Sequence, residues 1–420
     1  MSLIRGDAIH LPLADNTVDL IVTSPPYFAL RSYSDGGEHY DGQIGSEATP
    51  QAFLEALWAV TAECRRVLKP SGSIWVNLGD KYSQRVATRP SSHQDGLFPD
   101  RPELKKDWKR DRELGLARMP ADNLVDTAAG TKPVREKSLM GLPWRYAIGC
   151  VDELDLILRA EVIWSKPNGL PESVTDRVRR SHEQWFHFTK EPRYFAAVDE
   201  VREPHEAAES PSARRGPSGQ NWGTVTGRRH DDGGSIGNFN HNPLGKLPGS
   251  VWTIPSEPLK VPDWLGVDHF AAYPQELPRR IILGWSPSGI CVECGEGRRP
   301  VVEKDYRELG AIAATDKAHR PGQGNHFATR TLGRAEAEAT ITGYACACDT
   351  PTAPTRPAVV LDPFGGTGTT AMVARALGRY PVHVDLSRDY LRLARWRIYD
   401  SGHASKTAER TNRERQGTLL

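Results

Sequence analysis

Three groups of residues in this chain have types and spacings that could do chemistry. The first is Ser24-Pro25-Pro26-Tyr27, which closes the short apolar run Asp19-Leu-Ile-Val-Thr. Two consecutive prolines hold φ at about −65° and remove two N–H donors. Ser24 and the Pro25 carbonyl then face outward rigidly, with an aromatic ring beside them. Two acceptors and a ring suit a planar amino group, because the acceptors take its two N–H bonds while the ring stacks on its plane. An isolated S-P-P-Y would equally read as a rigid surface loop.

The second group is Pro363-Phe364-Gly365-Gly366-Thr367-Gly368-Thr369-Thr370, fed by the apolar stretch Ala358-Val-Val-Leu-Asp362 and followed by a helical run from Ala371 to Leu377. Tyr380-Pro-Val-His-Val384 then ends at Asp385. Strand, glycine turn, helix, strand and an acid about twenty residues on is the order in which backbone approaches an adenosine-type ligand and the acid takes its ribose hydroxyls. A phosphate-binding Walker loop needs lysine after its last glycine, and Thr369 stands there instead. A structural turn without a ligand is the remaining alternative.

The third group is Cys291-Val-Glu-Cys294-Gly295 with Cys346-Ala-Cys348, four of the chain's six cysteines. A C-x-x-C-G knuckle followed by a second close pair fits a four-thiolate structural zinc site. The second pair is C-x-C, and about fifty residues separate the two pairs. The metal would pin a loop that is otherwise too polar to fold. Disulfides suit a reducing compartment poorly.

These groups need elements to position them. Residues 2–30 read as strand, turn, strand, and residues 50–68 carry apolar side chains at helical spacing until Lys69-Pro70-Ser71-Gly72 breaks the pattern. Strands follow at 73–77, 156–164 and 184–188, and a helix started by proline at 274–285. The alternation of short apolar strands with amphipathic helices predicts an α/β fold with a Rossmann-like, mostly parallel sheet. Residues 84–135 read as a long polar loop, and about 200–249 turns rich in Gly, Ser, Pro, Arg, His and Asn. The predicted organisation is a catalytic part over 1–195, a recognition region over 196–255, a cofactor-side helix segment over 256–289, a zinc-ribbon-like insertion over 290–349, a cofactor-binding part over 350–400 and a disordered tail over 401–420.

Composition limits the function classes. The 420 residues carry 54 Lys plus Arg against 53 Asp plus Glu, so no domain-wide basic excess advertises nucleic acid. Local basic runs exist at Lys105-Lys106 with Lys109-Arg110, at Arg177 with Arg179-Arg180, at Arg214-Arg215 and at Arg228-Arg229-His230. Each alone reads as a solvated face. A mean hydropathy of −0.53 and the lack of a long apolar run predict no membrane span. An acid at position 7 breaks any secretory apolar region, so the expectation is a soluble cytoplasmic protein.

Taken together, the turn and the glycine loop resemble the amino-methyltransferases of DNA. Thr23-Ser24-Pro25-Pro26-Tyr27 is similar to that family's catalytic motif, Asp362-Pro363-Phe364-Gly365-Gly366-Thr367-Gly368 to its cofactor loop, and Arg180 to Lys190 to a later strand signature. Gly6-Asp7 before Leu11-Pro-Leu13 resembles the acid that contacts the cofactor adenine. Asp268-His269-Phe270 before Pro274 resembles the segment leading to the cofactor's methionine end. The resemblance covers the first 190 or so residues and the last 150 or so, leaving out the middle loop.

The catalytic turn precedes the cofactor loop, which is the permuted order of the family's β group. RNA and protein-glutamine methyltransferases generally have the reverse order. The resemblance thus implies S-adenosylmethionine as cofactor and double-stranded DNA as substrate, with the cysteine-bearing loop expected near the DNA-facing edge; a cognate restriction endonuclease as against a solitary methylase, and the oligomeric state, stay open. Serine at the first motif position implies cytosine N4 ahead of adenine N6. A cytosine C5 mechanism needs a nucleophilic thiolate, and neither Cys64 nor Cys150 sits in a suitable turn. Two other readings remain open: an inactive DNA-binding relative and an RNA or protein methyltransferase.

Overall fold

The computed structural model describes residues 1–29, 34–35, 38–39, 43–83, 134–169, 171–205, 242–267, 272–309, 334–348, 350, 352–400, 402 and 409. His269 and Phe270, most of the predicted 84–135 loop, residues 206–241 of the predicted recognition region and nearly all of the tail lie outside them.

One eight-stranded sheet organises the described chain. Its strands are β1 (Ser2–Arg5), β2 (Val18–Thr23), β3 (Leu68–Leu78), β4 (Ile157–Ser165), β5 (His182–Thr189), β6 (Val251–Thr253), β11 (Val359–Asp362) and β12 (Tyr380–Asp385), in the order β1-β12-β11-β2-β3-β5-β4-β6. All neighbouring pairs are parallel except those made by β5, which runs against both β3 and β4. The mostly parallel sheet expected from the sequence is therefore present. Every residue of β2 is buried, as a central parallel strand covered on both faces requires.

Helices cover the two faces. Helix α1 (Pro50–Val67) opens with Thr49 accepting the Ala52 N–H at 3.1 Å and with proline at its first turn, both ordinary start signals. With α2 (Leu142–Asp152) it buries Phe53, Leu54, Leu57, Val60, Tyr146 and Ala147 on one face. Helices α3 (Glu276–Trp285), α4 (Thr369–Ala376) and α5 (Arg388–Tyr399) cover the other, around Leu277, Ile281, Met372, Ala394 and Ile398. Cys64 and Cys150 are buried in the first of these layers, and burial pushes the Cys150 thiol up to about 12 and the Cys64 thiol higher still. Neither is a ready nucleophile. None of the described helices is long and apolar enough to cross a membrane.

Two expectations need correction. The Lys69-Pro70-Ser71-Gly72 break does not separate helix from strand, because β3 already begins at Leu68 and runs through it. The pairing with β2 shifts register between Val18 and Leu20, so the extra residues bulge outward with Pro70 and Ser71 exposed. The insertion is also not a mere loop. After β7 (Ile290–Cys291) it forms a long antiparallel hairpin of β8 (Arg299–Leu309) and β9 (Arg334–Ala345), then rejoins the fold through β10 (Thr355–Arg356), which pairs with β7.

Candidate active site

Strand connectivity decides where a site can form. From β11 the chain passes through α4 to β12 on one side, while from β2 it passes through α1 to β3 on the other side and the opposite face. The sequence order reverses between β11 and β2, and the crevice outside the carboxyl ends of such strands is where α/β sheets bind ligands. Asp362 ends β11 and Thr23 ends β2, so the glycine loop and the Ser24 turn leave the sheet side by side.

A buried carboxylate ties the two together. Asp362, 2 % exposed, accepts at Oδ1 from the Thr23 hydroxyl at 2.7 Å and from the Phe364 N–H at 3.2 Å. At Oδ2 it accepts from Thr370 Oγ1 at 2.8 Å and from the Tyr273 hydroxyl at 3.2 Å. Tyr273 also hydrogen-bonds Thr370. Burial raises the Asp362 carboxyl above its ordinary range, and the hydroxyl and N–H donors pull it partly back. The carboxylate is therefore a bolt between the glycine loop and the start of the Ser24 turn, with protein donors on both oxygens.

The loop itself is shaped by the acid predicted to take a ribose. Asp385 accepts the Gly366 N–H on Oδ2 and the Ser387 N–H on Oδ1, both at 2.8 Å. Gly366 has φ of +48°, a region that L side chains rarely adopt, and a Cβ there would touch the Phe364 carbonyl oxygen at 3.9 Å. Behind the loop, Arg397 of α5 donates to Thr369 Oγ1 at 2.6 Å and to Thr367 Oγ1 at 2.9 Å. Burial lowers that guanidinium to about 10. Asp7 follows β1, whose Arg5 pairs with Asp385 on the neighbouring strand, and its carboxylate accepts the Ile9 N–H at 3.0 Å. Asp7, the 364–369 loop and Asp385 thus share one edge of the sheet.

At the Ser24 turn the structure adds three residues that sequence reasoning assigned no role. Asn77, on β3, accepts at Oδ1 from the Tyr27 hydroxyl at 2.7 Å and from Ser24 Oγ at 3.2 Å. The Tyr27 hydroxyl also faces Glu183 Oε2 at 2.8 Å, and Glu183 pairs with Lys166. Lys166 lies 4.0 Å from the Trp164 ring centroid. Gly79 makes room for this arrangement, since a Cβ there would meet Tyr27 Cε2 at 2.7 Å. Pro25 is buried, and Pro26 and Tyr27 are half-buried. The one legible signal was Asn77 itself, a polar residue closing the apolar run at 73–77. Glu183 lay within the Arg180–Lys190 signature, but nothing in one sequence pairs it with Tyr27.

The four cysteines of the insertion come together as their spacing predicts. The sulfurs of Cys291, Cys294, Cys346 and Cys348 all lie within 4.8 Å of one another, with Cys291 and Cys348 at 3.8 Å and Cys346 and Cys348 at 3.4 Å. A tetrahedral zinc with bonds of about 2.3 Å has sulfur–sulfur edges of ~3.8 Å, so the cluster has the size of a four-thiolate site. The four thiols do not move together: the Cys294 N–H chiefly holds Cys291 down at about 6 and Cys348 lowers Cys346, while Cys294 is raised and Cys348 is pushed up to about 12. The fifty-residue gap is spanned by the β8–β9 hairpin, which returns the chain to its starting point.

The cluster does not stand at the site edge, however. It hangs between the end of α3 and the start of β11, at the amino ends of the strands, opposite the Ser24 turn. The sequence reading expects it near the nucleic-acid-facing edge, and the connectivity sets it at the edge away from the Ser24 turn.

Comparison with known proteins fixes the class. A family model described as DNA methylase, the N6/N4 methyltransferases, matches residues 18–292 and 355–395 and skips the hairpin between them. The chain belongs to that family. It is 40% identical over 205 residues to the Type II methyltransferase M.XycI of Xanthomonas campestris pv. cyanopsidis, covering 48% of this chain and 59% of that protein. With M.Cfr9I of Citrobacter freundii it is 32% identical over 290 residues, covering 69% of this chain and 73% of the relative. Among solved structures, the cytosine-N4-specific PvuII DNA methyltransferase aligns over 99% of this chain and 93% of its own at 14% identity and a TM-score of 0.49.

Proposed function

We propose that this protein transfers a methyl group from S-adenosylmethionine to the exocyclic amine of a base flipped out of double-stranded DNA, and that the base is cytosine, modified at N4. The observation that carries this reading is the Thr23–Asp362 hydrogen bond at 2.7 Å, which fastens the amine-binding turn to the cofactor loop at the switch point of the sheet. The cofactor supplies an electrophilic methyl on a sulfonium. Phe364 to Thr369 and Asp385 hold its adenosine, Asp7 lies toward its adenine, and His269 and Phe270 come from the segment assigned to its methionine end. Flipping costs a few kcal/mol of unstacking. Tyr27 then receives the base, and Ser24 with the Pro25 carbonyl accepts the two amine N–H bonds, aiming the nitrogen at the methyl carbon. The N–C bond forms as the C–S bond breaks, and the nitrogen releases one proton to solvent. Most of the rate gain is positioning.

A hydroxyl at position 24 is a neutral acceptor, and with the family resemblance it supports cytosine N4 ahead of adenine N6. Residues 196–255 are read as the recognition region. Their neck is closed by paired backbone hydrogen bonds between Glu203 and Lys246, at 2.9 and 2.8 Å. Cys291, Cys294, Cys346 and Cys348 are read as ligands of one structural zinc. The Type II names of the relatives support a cognate restriction endonuclease as companion.

The test is mass spectrometry of nucleosides from duplex DNA of broad sequence coverage, incubated with the protein and S-adenosylmethionine. N4-methylcytosine is expected. N6-methyladenine would keep the reaction and overturn the base, and no methylated base would overturn the reading.

A further inference from the structure

A hydroxyl can donate or accept, yet an amine clamp needs an acceptor, so the direction of the Ser24 hydroxyl matters. Its own proton decides that direction. Ser24 Oγ donates to Asn77 Oδ1 at 3.2 Å, and Asn77 is 1 % exposed. The amide cannot turn end for end without loss. Its Nδ2 donates to the Gln184 carbonyl at 3.1 Å, and reversal would set amide oxygen against that carbonyl. The Tyr27 hydroxyl shares one proton between Asn77 Oδ1 and Glu183 Oε2. The amide oxygen has two lone pairs, so Asn77 Oδ1 takes the Ser24 proton whichever of its two acceptors the Tyr27 proton lies toward.

We infer that Asn77 is a positioning residue that takes the Ser24 hydroxyl proton, turns Ser24 into an acceptor-only group and so selects an amino over a carbonyl edge on the flipped base. The inference rests on the reading of the Ser24 turn as an amine clamp. With its proton committed to Asn77, Ser24 Oγ presents only lone pairs to the crevice. A base edge carrying a carbonyl then meets oxygen against oxygen and is refused, which is specificity by an unmet polar group. Without Asn77, the hydroxyl is free to donate, and the amine is held by one dependable acceptor instead of two.

The experiment is a double-substitution cycle on the full chain. Asn77→Ala is compared in two backgrounds, the natural serine and Ser24→Asp. A carboxylate has no proton to place, so it accepts without help, and its charge is repelled by Asn77 Oδ1. In the natural background Asn77→Ala should lower the rate of methyl transfer about tenfold, the worth of one hydrogen bond. Affinity for S-adenosylhomocysteine should stay within about twofold in the same proteins. In the Ser24→Asp background the same substitution should leave the rate unchanged or raise it.

An equal fall in both backgrounds would assign Asn77 a merely structural role and overturn the inference, as would no fall in either. Should Asn77→Ala not fold, Asn77→Leu fills the same volume without polar atoms and carries the same cycle. Failure of the amine-clamp reading shows in the unsubstituted protein, as an absence of methylated bases. Failure of the Asn77 inference shows only in the cycle.

Discussion

The two residue clusters of this chain are both assembled from distant sequence, and they are held in opposite ways. At the carboxyl edge of the sheet, Ser24, Asn77, Tyr27 and Glu183 come from three strand ends and are tied by hydrogen bonds among protein groups. At the amino edge, the four cysteines are brought together by a hairpin, with their sulfurs within 4.8 Å of one another. A crevice over a parallel sheet is preorganised by the core beneath it. A hairpin attached by the two-residue strands β7 and β10 stands on a narrow base, which on the reading proposed above a metal closes. The DNA methylase family model covers the first region and passes over most of the second, which matches a division between a reaction site and an added brace.

That division can be broken experimentally, beginning with the largest effect. Gly366→Val places a branched side chain at φ of +48°, against the Phe364 carbonyl oxygen. Calorimetric titration with S-adenosylhomocysteine should show binding lost by ~100-fold or more, since steric exclusion is added to backbone strain. Tyr27→Ala should reduce methyl transfer by a comparable factor with cofactor affinity nearly unchanged. Equal loss of cofactor affinity in both variants would erase the separation of roles within the site.

Next comes the cysteine cluster. Elemental analysis of the purified protein should find one zinc per chain, and Cys346→Ser should lose it. A chelator or that substitution should lower the melting temperature by several degrees, on the order of 1–3 kcal/mol, while S-adenosylhomocysteine binds as before. Joint loss of zinc and cofactor binding would mean that the two edges are one cooperative unit.

Asp362→Ala is of the same order. It takes the acceptor from the Thr23 hydroxyl and leaves Tyr273 and Thr370 only each other and the Val22 carbonyl, and urea unfolding should register a loss of about 2 kcal/mol. A milder loss confined to activity would show that the bolt only aligns the two loops.

The smallest effect is acid sensitivity. His383 lies fully buried beneath Gly365, and burial lowers its ring to about 4; His187, beside Ser73 and stacked on Trp75, is lowered to about 3 for the same reason. Both are neutral in the fold and take up protons near 6.5 when unfolded. Stability should be complete above that value and fall as pH drops from 6.5 toward 4, by about 2 kcal/mol at pH 5 for His383 alone. His383→Phe should flatten that limb in urea titrations between pH 5 and 7.

Much of the site edge was legible because its chemistry is local. Ser24 to Tyr27 and Phe364 to Thr369 are contiguous, and the strands feeding them are short apolar runs bounded by turn residues. The cysteine spacing likewise foretold the cluster of sulfurs. What stayed hidden depends on pairing across the sheet. Nothing in the run 73–77 says that Asn77 will face Ser24, because that follows from β2 and β3 lying side by side. Glu183 reaches Tyr27 because β5 runs antiparallel beside β3. The position of the cysteine cluster stayed hidden for the same reason, since connectivity between α3 and β11 sets it at the edge away from the Ser24 turn.

The most direct test of the site is a crystal structure with S-adenosylhomocysteine bound. The adenosine should lie against residues 364–369 with Asp385 at its ribose, and the sulfur should face the Ser24–Tyr27 turn. A ligand bound at another edge, or with its sulfur turned away from Ser24, would contradict the assignment of one site to these two motifs.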